Sequence, residues 1–79
     1  KIATVTIVPI TSNIKNFPSS IIIKASSKNN LKQDSRIELS QIRTIDRTRI
    51  IKKIGALDDF IKKELCDKLI LFFDLGDEF

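Results

Sequence analysis

The apolar positions of this chain recur with two different spacings. Over Ile2 to Ile10, IATVTIVPI, the spacing is two, which puts Ala3, Val5 and Ile7 on one face of a predicted strand and Thr4 and Thr6 on the other. Pro9 has no N–H to give to a ladder, so the strand ends there or runs along an edge. Thr11 to Ser19, TSNIKNFPS, is rich in Asn, Ser and Lys and predicts a surface loop, with Phe17 expected to pin it to the core and, as the alternative, to stack on a nucleic-acid base. Ser20 to Ala25, SIIIKA, is a β-branched run of the kind found in buried strands. Ser26 to Ser35 reads as a polar turn region with Leu31 tucked inward. From Arg36 to Leu39 the alternation returns, with Ile37 and Leu39 facing in and Arg36 and Glu38 facing out. Gln41 to Asp46 predicts another extended piece after a bend at Ser40. One helical turn is expected between Asp46 and Ile51, then a short strand through KKIG that Gly55 closes.

The second spacing belongs to a helix predicted over residues 57–75. Leu57, Phe60, Ile61, Leu65, Leu69, Phe72 and Phe73 form one stripe at helical intervals. Asp58 suits the N-cap, Asp59 and Glu64 lie toward the positive end of the dipole, and Gly76 suits the residue after the helix. Ile70 and Leu71 widen the stripe beyond what one small sheet covers, which predicts a second buried face and hence a dimer.

With 79 residues the chain is one domain, and a domain of that size removes only about 60% of its unfolded surface from water. Its 42% apolar content is that of a globular protein, and no apolar run approaches the roughly 20 residues of a membrane span. The single Cys66 cannot form an internal disulfide and no signal-peptide pattern opens the chain, so a cytoplasmic location is expected. Charge is uneven. Residues 1–35 hold five Lys against one acid, residues 36–56 six bases against two acids, and residues 57–79 three bases against seven acids. A basic body favours polyanions such as RNA, or the acidic tail of a protein partner.

The absence of His removes the Ser-His-Asp triad, the Cys-His pair and any imidazole acid or base, and with one Cys it makes a transition-metal site improbable. Asp74, Asp77 and Glu78 have the chemistry to hold a hard cation but lie in a terminal segment expected to fray, so no metal site is expected, and Gly55 and Gly76 build no phosphate-binding loop. Thr, Ser, Arg, Lys and carboxylate chemistry remains. It suits phosphodiester work on RNA, which brings its own 2′-OH nucleophile and needs only alignment, proton acceptance and charge neutralisation. Composition permits a ribonuclease without selecting one.

The run QIRTIDRTR, Gln41 to Arg49, followed by KKIGAL and an amphipathic helix, closely resembles the C-terminal half of the MazF/PemK (Kid, ChpB) toxins of type II toxin–antitoxin pairs. The likeness extends over a strand ending in Pro-Ile-Thr-Ser, a Phe-Pro loop and a second hydrophobic strand. It implies a mainly β fold with a C-terminal α-helix: an SH3-like barrel of MazF/PemK/CcdB type, here without its first strands, with residues 1–79 as its C-terminal part. It further implies cleavage of single-stranded mRNA by 2′-OH attack, leaving a cyclic phosphate, with no metal and no cofactor. A homodimer whose RNA groove also takes the acidic tail of a cognate antitoxin is expected. Thr11 matches the family position that acts on the scissile phosphate, with Ser12 beside it; Lys15, Asn16, Phe17 and Arg43 are candidates for lining the RNA or antitoxin groove. In some members an acid proposed as the base precedes the signature Gln, and two residues before it stands an Arg; those positions are Ser40 and Glu38 here, so an acid is present nearby but out of register for that scheme. The family's principal catalytic Arg lies in an upstream segment outside these 79 residues. If that segment is truly missing, hydrolysis should be crippled, and the alternatives are a remnant that binds antitoxin or RNA without cutting, or a gyrase-directed toxin on the same barrel.

Overall fold

The structure, a computed structural model, describes residues 3–73. Two antiparallel sheets meet at a corner. β1 (Thr4–Ile7) pairs with β5 (Arg43–Asp46), with Thr4 opposite Asp46 and Ile7 opposite Arg43. β2 (Ile10–Thr11) and β3 (Ser20–Ile23) flank β4 (Ser35–Glu38) in a three-stranded sheet. The same two stretches of chain therefore pair twice, once in each sheet. At the corner, Val8 and Pro9 on one side face residues 38–42 on the other, and a 3-10 turn at Leu39–Gln41 takes up the excess length. Pro9, unable to donate, accepts instead: its carbonyl receives the Glu38 N–H at 3.0 Å. A second 3-10 turn, Arg47–Arg49, is capped by the Asp46 carboxylate, which accepts the Thr48 N–H. The mainly β architecture with a C-terminal helix is as the sequence predicts, and the two sheets stay unjoined as a barrel among the described residues.

The core is small. Ile21, Ile23, Ile37, Leu39 and Ile61 are buried, with Val8, Leu31, Leu57, Leu65 and Leu69 packed around them. The helix α1 (Asp59–Phe73) lies on β3. Asp58 occupies the cap position, its carbonyl accepting the Ile61 and Lys62 N–H groups, while its carboxylate sits 3.5 Å from the Lys28 ammonium. The predicted stripe is only partly used: Ile61 is buried and Leu57, Leu65 and Leu69 half-buried, but Phe60, Phe72 and Phe73 are exposed along with Ile70 and Leu71. A three-stranded sheet of short strands covers one narrow face of a helix, and the outer apolar positions have nothing among the described residues to pack on. Leu75 and Gly76 lie outside the described residues. No helix among those described is long and apolar enough to cross a membrane.

Two expectations are corrected. KKIG forms no strand. It runs against the 26–30 turn, where Asn30 takes the left-handed φ of 56° and donates through Nδ2 to the Ile54 carbonyl at 2.6 Å, while the Ala56 N–H reaches the Lys28 carbonyl at 3.0 Å. Gly55 is needed for this close approach, since a Cβ there would collide with the Asn29 carbonyl and lie 2.7 Å from the Lys28 oxygen. The second correction concerns Arg36 and Glu38, predicted to face water. Alternation does put them on the face opposite Ile37, but the loop after β2 folds over that face, leaving Glu38 5% exposed.

Burying a carboxylate is tolerable only when its lone pairs are filled. Glu38 accepts from the hydroxyls of Ser19 at 2.5 Å, Ser20 at 2.6 Å and Ser40 at 2.7 Å, from the Ser40 N–H at 3.1 Å, and from the Arg36 guanidinium. The Ser19 and Ser20 hydroxyls, helped by Ser40 and opposed by desolvation, hold its pKa at about 2, against 4.5 for an ordinary glutamate.

Gly55→Ala should lower stability by about 1–3 kcal/mol, read from urea unfolding midpoints, because the obstructing atoms are backbone and have no rotamer to move. An unchanged midpoint would show that the close approach is dispensable. Glu38 yields a pH prediction. Its folded pKa lies below the unfolded value, so its stabilisation is complete above pH 4.5 and fades as pH falls through about 2. Glu38→Gln should be less stable near neutral pH by about 2–4 kcal/mol. That gap should shrink as pH falls across this window, and a gap that stayed constant would count against the network.

Candidate functional site

Thr11 ends β2 opposite Arg36, so the two side chains share one face at the mouth of the loop Ser12–Ser19. The Thr11 hydroxyl oxygen accepts the Asn13 N–H at 3.2 Å. This is a common local bond for a hydroxyl at a loop start. It uses an oxygen lone pair and leaves the O–H proton available to an incoming acceptor.

Arg36 organises the loop from beneath. Its Nε donates to the Asn13 carbonyl at 2.7 Å, and its Nη1 donates to Glu38 and to the Ser20 hydroxyl. The Phe17 ring lies 5.5 Å from the guanidinium carbon, within cation–π range. Phe17 is thus pinned to a cation and not to the apolar core, and it stays 47% exposed. That corrects the expected core contact and leaves ring surface open to solvent. From the other side, the Lys68 ammonium on α1 donates to the carbonyls of Pro18 and Ser20, at 3.3 and 2.9 Å, closing the end of the loop.

Of the residues singled out from the sequence, Thr11, Ser12, Lys15, Asn16 and Phe17 come together at β2 and its loop, all but Thr11 exposed. Arg43 does not join them by any hydrogen bond among the described residues. It stands exposed on β5 in the other sheet, opposite Ile7. The basic stretch continues through Arg47, Arg49, Lys52 and Lys53, which are exposed and make no ion pair with a described residue. Glu38 is a poor general base, because a carboxyl held near pKa 2 has little affinity for a proton at neutral pH and its oxygens are already occupied. No cluster of His, Cys, Asp or Glu able to hold a metal occurs among the described residues, and Asp74, Asp77 and Glu78 fall outside them.

Sequence reasoning missed Arg36 and Asn13 as site residues, and it considered Glu38 only as a displaced base, not as the buried anchor of Arg36. One signal was present: an Arg and a Glu two apart on a strand share a face, and opposite charges on one face pair. That this face is covered could not be read from the alternation.

Three comparisons bear on the assignment. The chain is 33% identical over 72 residues to a protein named Endoribonuclease MazF9 from Mycobacterium tuberculosis, an alignment covering 90% of this chain and 60% of that protein. It thus spans about 60% of the length of the curated relative it matches. A solved structure titled "Crystal structure of Mtb toxin" superposes with a TM-score of 0.76 at 22% identity, covering 86% of this chain and 72% of that one, which supports the fold. Residues 1–73 match the family described as PemK-like, MazF-like toxin of type II toxin–antitoxin system. With the QIRTIDRTR run on β5 and its following turn, and Thr11 at the end of β2, the chain belongs to this PemK-like, MazF-like toxin family.

Proposed function

We propose that the intact protein is the toxin of a toxin–antitoxin pair and an endoribonuclease that cleaves single-stranded mRNA without a metal. The observation that carries this reading is the placement of Thr11. Its hydroxyl is oriented by the Asn13 N–H, it lies beside a cation, and it stands at the edge of an exposed polar loop. In the reaction, the RNA 2′-oxygen forms a bond to the adjacent phosphorus as the bond to the 5′-oxygen breaks. The products are a 2′,3′-cyclic phosphate and a 5′-hydroxyl, with the proton of the 2′-OH passing to a base and one returning to the leaving oxygen. The O–H of Thr11 donates to a phosphate oxygen as negative charge grows there, and Ser12 adds a second donor. Lys15, Asn16 and Phe17 line the RNA path, Phe17 offering a ring face to a base. Arg43 supplies charge further along.

The exposed apolar face of α1, with Ile70 51% and Leu71 73% exposed, suits a second copy of the chain, and a homodimer is part of the proposal. The exposed basic stretch from Arg43 to Lys53 suits the acidic tail of an antitoxin in a cytoplasmic setting.

One observation favours a second reading. Arg36, the cation nearest Thr11 in the sheet register, is already paired with Glu38 and so is poorly free to neutralise a phosphate. Without a further cation the same loop would bind RNA or an antitoxin peptide and cut nothing.

In the intact protein, Thr11→Ala should lower cleavage of a single-stranded RNA by at least about tenfold, with the unfolding midpoint unchanged, as expected for loss of one transition-state donor. Near-normal cleavage would refute the role of Thr11. Excess chelator should leave the rate unaltered, and a rate restored only by added divalent cation would refute metal independence.

A further inference from the structure

We propose that Arg36 is a positioning residue for the Thr11 hydroxyl and the Phe17 ring, acting through Asn13 and anchored by Glu38. The inference rests on the ribonuclease reading for its consequence and on geometry for its substance. The relay is continuous. Glu38 holds Nη1 of Arg36; Nε of Arg36 holds the Asn13 carbonyl at 2.7 Å; the N–H of the same Asn13 holds the Thr11 oxygen at 3.2 Å. The guanidinium also lies 5.5 Å from the centre of the Phe17 ring. One planar cation therefore links the hydroxyl at the end of β2 with the path of the loop that follows it and with the loop's aromatic residue.

Sheet stability alone gives little reason for this arrangement. An ion pair taken out of water is costly, and apolar residues in its place often hold a structure as well or better. Arg36 is nonetheless nearly covered, its side chain 11% exposed. What an apolar residue could not do is reach a backbone carbonyl, a carboxylate and a ring face at once. A lysine could not either, because its single ammonium provides donors at one point and none along the stem. Nε and Nη1 point to different partners: Nη1 serves the sheet residues Glu38 and Ser20, and Nε is directed at the loop. Asn13 makes the contact through its backbone, so the relay sets the path of the loop and does not depend on the Asn13 side chain.

The test uses Arg36→Lys in the intact protein, which keeps a charge beside Glu38 and removes the fork, with Arg36→Met as the stronger variant. The first readout is the Thr11 side-chain rotamer in solution, from three-bond scalar couplings. One rotamer is expected in the parent and averaging among rotamers in Arg36→Lys, with the resonances of β3 and α1 unmoved. A single unchanged Thr11 rotamer in both variants overturns the proposal, and should Arg36→Met fail to fold, Arg36→Lys decides alone. The second readout is RNA cleavage. Arg36→Lys should lower kcat about tenfold with KM changed less, since a misplaced donor is felt mainly in the transition state. In a Thr11→Ala background the same substitution should lower kcat less than about twofold. Equal losses in the two backgrounds would mean a general structural role and overturn the relay. If Thr11→Ala proves harmless to cleavage, the ribonuclease role of Thr11 fails, and the rotamer measurement still decides whether Arg36 positions it.

Discussion

A carboxylate inside a protein has to be given donors, and the way Glu38 obtains them shapes the rest of this chain. Its partners come from four places: Ser19 at the end of the loop, Ser20 on β3, Arg36 on its own strand and Ser40 in the turn that follows. Each bond restricts a different piece of backbone. Ser20 lies directly opposite Glu38 in the β3–β4 register, so the bond between them opposes a slip of that pairing. Ser40 holds the 3-10 turn at the corner where one sheet gives way to the other. An apolar residue at position 38 could match its burial but not this distribution of directional contacts.

Directionality matters here because the apolar core is thin. Among the described residues five aliphatic side chains are buried, and the helix adds one of them, Ile61. A core of that size supplies limited stability, and non-directional packing alone specifies register weakly. The polar face does what the core cannot, closing β3, β4, the turn and the loop around a single charge. Meanwhile Phe60, Ile70 and Leu71 on the helix and Ile51 before it remain exposed, so apolar surface is left available for further packing.

How far the sequence was legible follows from what each pattern encodes. Period two located β1 and β4, a continuous β-branched run located β3, and the helical stripe located α1 to within two residues at its start, because these patterns record which residues meet the core. They record nothing about what covers the opposite face. Arg36 and Glu38 were placed on the correct face and wrongly assigned to water, because the covering loop is held by the very contacts in question. Phe17 was expected in the core for its size and sits on Arg36, an outcome that depends on where a nonlocal strand brings a cation. KKIG looked like a strand but is held by Asn30 from a distant turn, and so short a segment carries no sign of which partner it will meet. The motif led to Thr11, while the residues that orient Thr11 lie outside any motif.

The Arg36–Glu38 pair also separates long-range charge from local geometry. A neutralised pair exerts little field beyond its own neighbourhood, so Arg36 adds almost nothing to long-range attraction. That attraction is left to Arg43, Arg47, Arg49, Lys52 and Lys53, exposed on β5, its turn and the following segment, and to Lys15 on the loop. Their charges act through solvent and weaken with salt. At close range the loop offers a hydroxyl oriented by a backbone N–H and an aromatic face, both held by a cation whose own charge is already balanced. Because Glu38 stays ionised far below neutral pH, that balance does not change across the physiological range. The field of these exposed cations is therefore tunable by ionic strength, and the geometry around Thr11 and Phe17 is not.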